Sequence, residues 1–395
     1  MFLELVEMIQ PGGENGNNNI FRLNLPSGRE IFGLATENNY GGEWDLGPTW
    51  NYIVGPEKPF LVDTGKSGMG LRLLEMMAQI GIQGKALDFV LISHGHEDHD
   101  GGLVELVAAT GIPVKAHSIY EKLIRNYPEK APFPFKESFS ASCWHCFMPE
   151  SFTQVHCRGY HQERHALAVE SFDRFPFSLD KDILIHHLPG HTPDSLAVQI
   201  GEEALIVGDI LLPEITPHPT QEKFHELTES LLPAHYTRGA LIYGLRAYLE
   251  SLKRLKEIAL RFPQIIVLPG HRLYNRDRWN TIDLKTRIDE VIEHHVQRCG
   301  AIVTILQKGP KTAEEVAREH FDPQLLKGFG IKMAENEILS HTELLQFSND
   351  ILLQEDGTFV GLGTTHFESL IRKLIGKKRP GSKGKSSIPK PKTQG

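Results

Sequence analysis

The chain has 395 residues, of which 40% are hydrophobic and 23% charged, the composition of a folded, water-soluble protein with room for two or three domains. No apolar run is long enough to span a membrane, and the opening Met1-Phe2-Leu3-Glu4-Leu5-Val6-Glu7 carries two acids and no basic start, so it does not read as a secretory leader. The net charge of −8 hides an uneven split: Ile371 to Gly395 holds nine Lys/Arg and no acid, leaving 33 basic against 50 acidic residues elsewhere.

In chain order, an opening strand leads to the turn-rich Gly12-Gly13-Glu14-Asn15-Gly16-Asn17-Asn18-Asn19. The short apolar runs Ile20 to Leu25, Ile31 to Ala35, Trp50 to Val54 and Phe60 to Val62 then predict an antiparallel meander. Asp63-Thr64-Gly65 closes its last strand. An amphipathic helix follows over 70–82, a strand over 87–92, a helix opening after Gly101-Gly102, a strand over 111–117 and a helix to Asn126. Residues 127–178, rich in Pro, Phe, His and Cys, break this alternation and read as an insertion. Strands resume over 183–188, 196–200 and 204–207, then a long helix over 240–262 and a strand over 265–268. From Thr281 the pattern is helical: 282–306, a capping box at Thr312-Ala313-Glu314-Glu315, and a helix around 337–347. A hairpin built on Asp356-Gly357 follows.

The residues that carry chemistry stand at predicted strand ends, where α/β proteins place their sites. Ser93-His94-Gly95-His96-Glu97-Asp98-His99-Asp100 packs three imidazoles and several carboxylates into one turn, and burying such a patch calls for a neutralising cation. His94 and His96 can point one way while Asp98 and His99 swing toward a neighbouring point, a layout for two cations. Asp100 reads as a solvated turn residue. Asp63, His191, Asp209 and His271 each close a further strand, whereas His186 and His187 lie on a strand as core or supporting groups. Twenty histidines in all reinforce the metal reading, and four cysteines without a pairing framework fit a reducing, cytoplasmic setting.

With these residues in place, the chain over roughly 18–275 resembles the metallo-β-lactamase superfamily, in its glyoxalase II-like and endoribonuclease-like branch. The resemblance implies a four-layer αββα sandwich of α/β class as an N-terminal hydrolase domain, residues 1–280; the three helices and hairpin that follow read as a helical, winged-helix-like domain, residues 281–371, and the Gly-, Ser-, Pro- and Lys-rich end as a basic, disordered tail, residues 372–395. The resemblance further implies that His94, His96 and His191 hold one metal, that Asp98, His99 and His271 hold a second, that Asp209 bridges them, and that Asp63 supports the set without ligating. Zinc is the first choice, and iron or manganese also suit imidazole and carboxylate donors. The implied reaction is hydrolysis of a thioester or ester, of the acyl-CoA or glyoxalase II kind, by a metal-bridging hydroxide, with Asp98 orienting it or receiving its proton. A metal-dependent ribonuclease and an iron-dependent redox or persulfide dioxygenase-like protein are the alternatives. Persulfide dioxygenases use one iron and typically not the last histidine, so Pro269-Gly270-His271 argues for two metals.

The insertion carries two readings. Cys143, Cys146, Cys157 and His161 are a donor set for a second, structural zinc; Trp144, Tyr160 and Arg164 are candidate substrate contacts if the segment folds over the site as a lid. Packing of the loop competes with both. Residues 281–371 hold eight Lys/Arg and fifteen Asp/Glu, the wrong sign for nucleic acid, so a small-molecule substrate is expected, with no membrane insertion, and that domain reads as a scaffold or a homodimer surface that narrows the mouth of the site.

Overall fold

The computed structural model describes residues 2–13, 15–40, 46–55, 58–126, 145 and 156–376. Eight strands form one sheet in chain order: β1 (Val6–Gln10), β2 (Ile20–Asn24), β3 (Glu30–Thr36), β4 (Thr49–Val54), β5 (Phe60–Val62), β6 (Val90–Leu91), β7 (Val114–His117) and β8 (Val169–Phe172). The pairings are antiparallel up to β5 and parallel from β5 to β8, because helices connect the later strands. A second sheet has the order β13-β12-β11-β10-β9, from β9 (Phe177–Ser178), β10 (Ile183–His187), β11 (Leu196–Ile200), β12 (Ala204–Gly208) and β13 (Ile266–Pro269).

Strand alternation decides how the sheets stack. In β4, Trp50, Tyr52 and Val54 point into the core between the sheets, where they meet Ile185, Val198 and Ile206 of the second sheet. Ile53 points the other way, under the helices Gly70–Gln79, Leu103–Thr110 and Ser118–Arg125, which bury Leu73, Met77, Leu106 and Tyr120 there. On the far side, Leu205, Val207 and Val267 pack against Leu245, Leu249 and Leu252 of the helix Gly244–Arg261. The result is helix, sheet, sheet, helix, the αββα order expected. Each fully buried Leu, Ile or Phe in such a core is worth roughly 1.5–3 kcal/mol.

The helices Leu284–Leu306, Ala313–His320, Gly330–Phe347 and His366–Gly376 continue the apolar core that begins on the outer face of the second sheet. Thr312 and Glu315 cap each other's backbone as the capping box predicts. Three boundaries differ from the sequence reading. The segment 127–178 contributes edge strands to both sheets, β8 and β9, whose two to four residues are too short to show a period. The helix Gly330–Phe347 starts seven residues before Glu337, its first turn masked by the neighbouring Gly328 and Gly330. The final helix runs to Gly376, so residues 372–376 are helical; 377–395 lie outside the described residues. Among the described residues no helix is long and apolar enough to cross a membrane.

Candidate metal centre

The site forms where strands of both sheets end on one edge. β5 closes in Asp63, whose backbone amide bonds the Leu91 carbonyl of β6 at 3.0 Å. β6 runs into His94-Gly95-His96, and His96 precedes the one-turn helix Glu97–Asp100. Gly101 and Gly102 are required by crowding: a Cβ on Gly101 would lie 2.2 Å from the Glu97 carbonyl oxygen, and one on Gly102 2.4 Å from that of Thr64. The β10–β11 loop supplies His191, the end of β12 supplies Asp209, and the end of β13 supplies His271.

Two groups of donors converge, each with its ligand atoms within 4.8 Å of one another: His94, His96, His191 and Asp209 in one, Asp98, His99 and His271 in the other. Asp209 faces both. Its Oδ2 is 3.7 Å from His191 Nε2 and 3.4 Å from His271 Nε2, and its Oδ1 is 3.4 Å from His99 Nε2. Asp98 Oδ2 lies 3.1 Å from His271 Nε2.

The far ring nitrogens are fixed from behind. His99 Nδ1 bonds Asp63 Oδ2 at 2.8 Å, His191 Nδ1 donates to the His218 carbonyl at 3.0 Å, and His271 Nδ1 donates to the Pro48 carbonyl at 3.1 Å. Ser93 Oγ joins Asp63 Oδ2 to His94 Nδ1, at 2.7 and 2.9 Å. Each ring therefore turns Nε2 inward, the usual arrangement of metal-bound histidine. Asp63 is consumed by Ser93 and His99, as a supporting residue is.

These residues fit a pair of divalent cations. His94 Nε2, His96 Nε2, His191 Nε2 and Asp209 Oδ1 are buried without a hydrogen-bond partner, which is costly unless something accepts their lone pairs. Burial, then the neighbouring imidazoles, hold His94 well below its ordinary pKa, and burial with the nearby His191 brings His96 to about 3, so both rings are neutral donors. Burial opposes charge on His271, but Asp209 and Asp98 outweigh it and raise its pKa to about 9. Burial likewise opposes ionisation of Asp209, and His271 and His99 outweigh it. The donor set is nitrogen and oxygen only.

Other residues proposed from sequence fall elsewhere. Asp100 is not solvated but fully buried, because Tyr120 and Arg164 both bond its Oδ2. Arg164, a candidate substrate contact, is 2% exposed and committed to Asp100, since a guanidinium in such surroundings needs an anion. Tyr160 is buried against the Arg164 guanidinium, 4.7 Å from its ring centre. Cys157 and His161 are buried one helical turn apart, while Cys143, Trp144 and Cys146 lie outside the described residues. Sequence reasoning missed Asn38, which donates to Asp98 Oδ2 at 3.0 Å, and Glu97, which accepts from Tyr40 and from the Ser67 amide. Glu97 is visible inside the histidine motif; Asn38 has no local signal.

The fold and the donor groups define a class of protein, a sandwich with a His/Asp site at its edge that could hold metal. Residues 44–271 match the family model described as Metallo-beta-lactamase superfamily, more than half of the chain, and the chain belongs to that superfamily. It is 26% identical over 153 residues to hydroxyacylglutathione hydrolase GloC of Haemophilus influenzae, covering 38% of this chain and 60% of the relative. It is 27% identical over 199 residues to hydroxyacylglutathione hydrolase of Shewanella loihica, covering 47% of this chain and again 60% of the relative. The chain thus spans less than two thirds of the length of these curated relatives. A metallo-beta-lactamase family protein of Thermus thermophilus shares the fold, with a TM-score of 0.60 at 21% identity, over 84% of this chain and 98% of that one.

Proposed function

We propose that the protein is a dinuclear metal-dependent hydrolase of small thioesters or esters, with an acyl group carried on glutathione or CoA as the substrate class. The observation that carries this reading is Asp209, which faces both donor groups at 3.4–3.7 Å. His94, His96 and His191 would hold one cation and Asp98, His99 and His271 the other, with Asp209 between them. Zinc is our first choice, and iron or manganese suit the same donors. Two such cations, when bound, lower the pKa of water to about 7 and polarise a carbonyl oxygen.

The chain's own residues hold this set and handle the proton. Asp63 and Ser93 fix His99 and His94, and the Asn38 amide fixes the Asp98 carboxylate. Burial opposes ionisation of Asp98, but His99 and His271 outweigh it and keep the carboxylate charged, an acceptor at the edge of the site. We assign residues 1–280 to the hydrolase domain and 281–371 to a winged-helix-like module. Its fifteen acids against eight bases disfavour a ribonuclease. The place of His271 beside Asp98 and His99 counts toward two metals and against a one-iron dioxygenase. The absence of any pairing framework for the four cysteines favours a cytoplasmic setting.

The thioester preference draws on the names of the two relatives, so substrate is the point to test. Metal-loaded protein should release free thiol from a hydroxyacylglutathione or a short acyl-CoA, and Asp209→Ala should lose at least 100-fold of that rate, on the order of what removal of a key transition-state contact costs. A protein that binds two metals yet cleaves neither thioester would overturn the substrate reading.

A further inference from the structure

Two residues of the segment between Ser118–Arg125 and β8 reach the turns that carry the donors. His145 is fully buried, and its ring lies directly on Gly95: a Cβ added to Gly95 would sit 2.4 Å from His145 Cδ2. Glycine between His94 and His96 is therefore a condition for this contact. The same ring reaches a second turn, with His145 Nε2 3.3 Å from Oδ2 of Asp194, three residues past His191. Arg164 bonds Asp100, the neighbour of His99, and its Nη1 lies 3.4 Å from the Gly95 carbonyl oxygen. Tyr120 joins the two halves, donating to Asp100 Oδ2 at 2.8 Å while its ring lies 5.8 Å from that of His145. Asp100, Tyr120, His145, Arg164 and Asp194 are all at most 2% exposed.

We propose that His145 and Arg164 are positioning residues that clamp the turns bearing five of the seven donors, His94, His96, Asp98, His99 and His191, into ligating geometry. The clamp acts through packing and ion pairs and touches no substrate. It rests on the metal-binding reading above. Its logic is that buried ion pairs hold geometry even where they add little net stability, and that partners behind a ligand shell set how tightly the metal is kept. His145 and Arg164, which lie in the stretch where the sequence offered a lid, are thereby part of the support of the site.

The test compares full-length wild type with His145→Gln, Arg164→Met and the charge-retaining Arg164→Lys, each loaded with cobalt(II). Three quantities are read: metal per chain, the rate of metal loss to a chelator, and the visible cobalt spectrum, with the melting point of the metal-free protein as the control for folding. We expect two metals in wild type, loss about 10- to 100-fold faster in His145→Gln and Arg164→Met, an altered cobalt spectrum in both, and partial recovery in Arg164→Lys. If Arg164→Met does not fold, His145→Gln and Arg164→Lys carry the comparison. Folded variants that keep wild-type release rates and spectra overturn the clamp, while a wild type that binds no metal overturns the metal reading instead.

Discussion

Asp63 holds a backbone φ of +65°, the left-handed region that costs a residue with a side chain roughly 1 kcal/mol or more, and the strain aims its carboxylate at Ser93 and His99. Asparagine tolerates the same backbone, so Asp63→Asn removes the charge and leaves the turn. It should weaken metal binding about 10- to 100-fold with little change in melting point, read by chelator competition. A second expectation concerns pH. Without metal, His271 keeps its proton up to about pH 9, because Asp209 and Asp98 outweigh burial. Metal binding must expel that proton and the one on His99, which burial opposes but neighbouring carboxylates hold above its ordinary range, so affinity should go on climbing with pH well beyond the usual histidine range. Calorimetry in buffers of different ionisation heat would register the released protons; affinity that is flat above pH 7 contradicts the assignment. The donors themselves were legible in sequence because they are charged or imidazole side chains set at strand ends. Of their supports only Asp63 was legible: the carbonyls of Pro48 and His218 and the amide of Asn38 arrive from distant loops, and nothing local marks a backbone oxygen as a partner.

At the level of elements, the loop from β10 to β11 places His191, and two features fix that loop. Gly190 sits at φ +129° with the Tyr248 backbone where its Cβ would be, at 2.4 Å. Gly190→Ala should cost roughly 1–3 kcal/mol by overpacking and loosen the bound metal, seen as a lower melting point and faster chelation. Beneath the loop, Tyr236 OH links His117 Nε2 and His187 Nδ1, at 3.1 and 3.4 Å, and His187 Nε2 donates to the Pro193 carbonyl at 2.8 Å. Burial holds His187 at about 4. Its folded pKa lies below the unfolded value near 6.5, so the unfolded chain binds the extra proton between them. The stability this group contributes is complete above about pH 6.5, falls as pH drops toward 4, and changes no further below that. His187→Gln should flatten the stability profile over that window; an unchanged slope would show that other groups set it. Strands marked by an apolar run, such as β4, were readable in advance. The short β6 was legible too, from the apolar run that contains it, but the two-residue β9 was not, because its pairing is decided by neighbours in the sheet.

Over the whole molecule, the apolar core runs without a break from Leu205 and Val267 of the second sheet, through Leu245 and Leu252, to Ile288, Ile302, Ile338 and Phe367 of the last helices. The sequence divides the chain at residue 280, since composition turns helical there, but a change of composition does not reveal whether two parts bury a common face. We therefore expect one cooperative unfolding transition in the full chain, and insoluble or unfolded protein on truncation after residue 280; a well-folded, metal-binding 1–280 fragment would show two independent units. The central claim is a two-metal site with Asp209 between the metals. Metal analysis of wild type and Asp209→Ala, each loaded and then freed of excess ion, tests it most directly. The account predicts two metals per chain in wild type and one or none in the variant. A single metal in wild type, or two in both proteins, would contradict it.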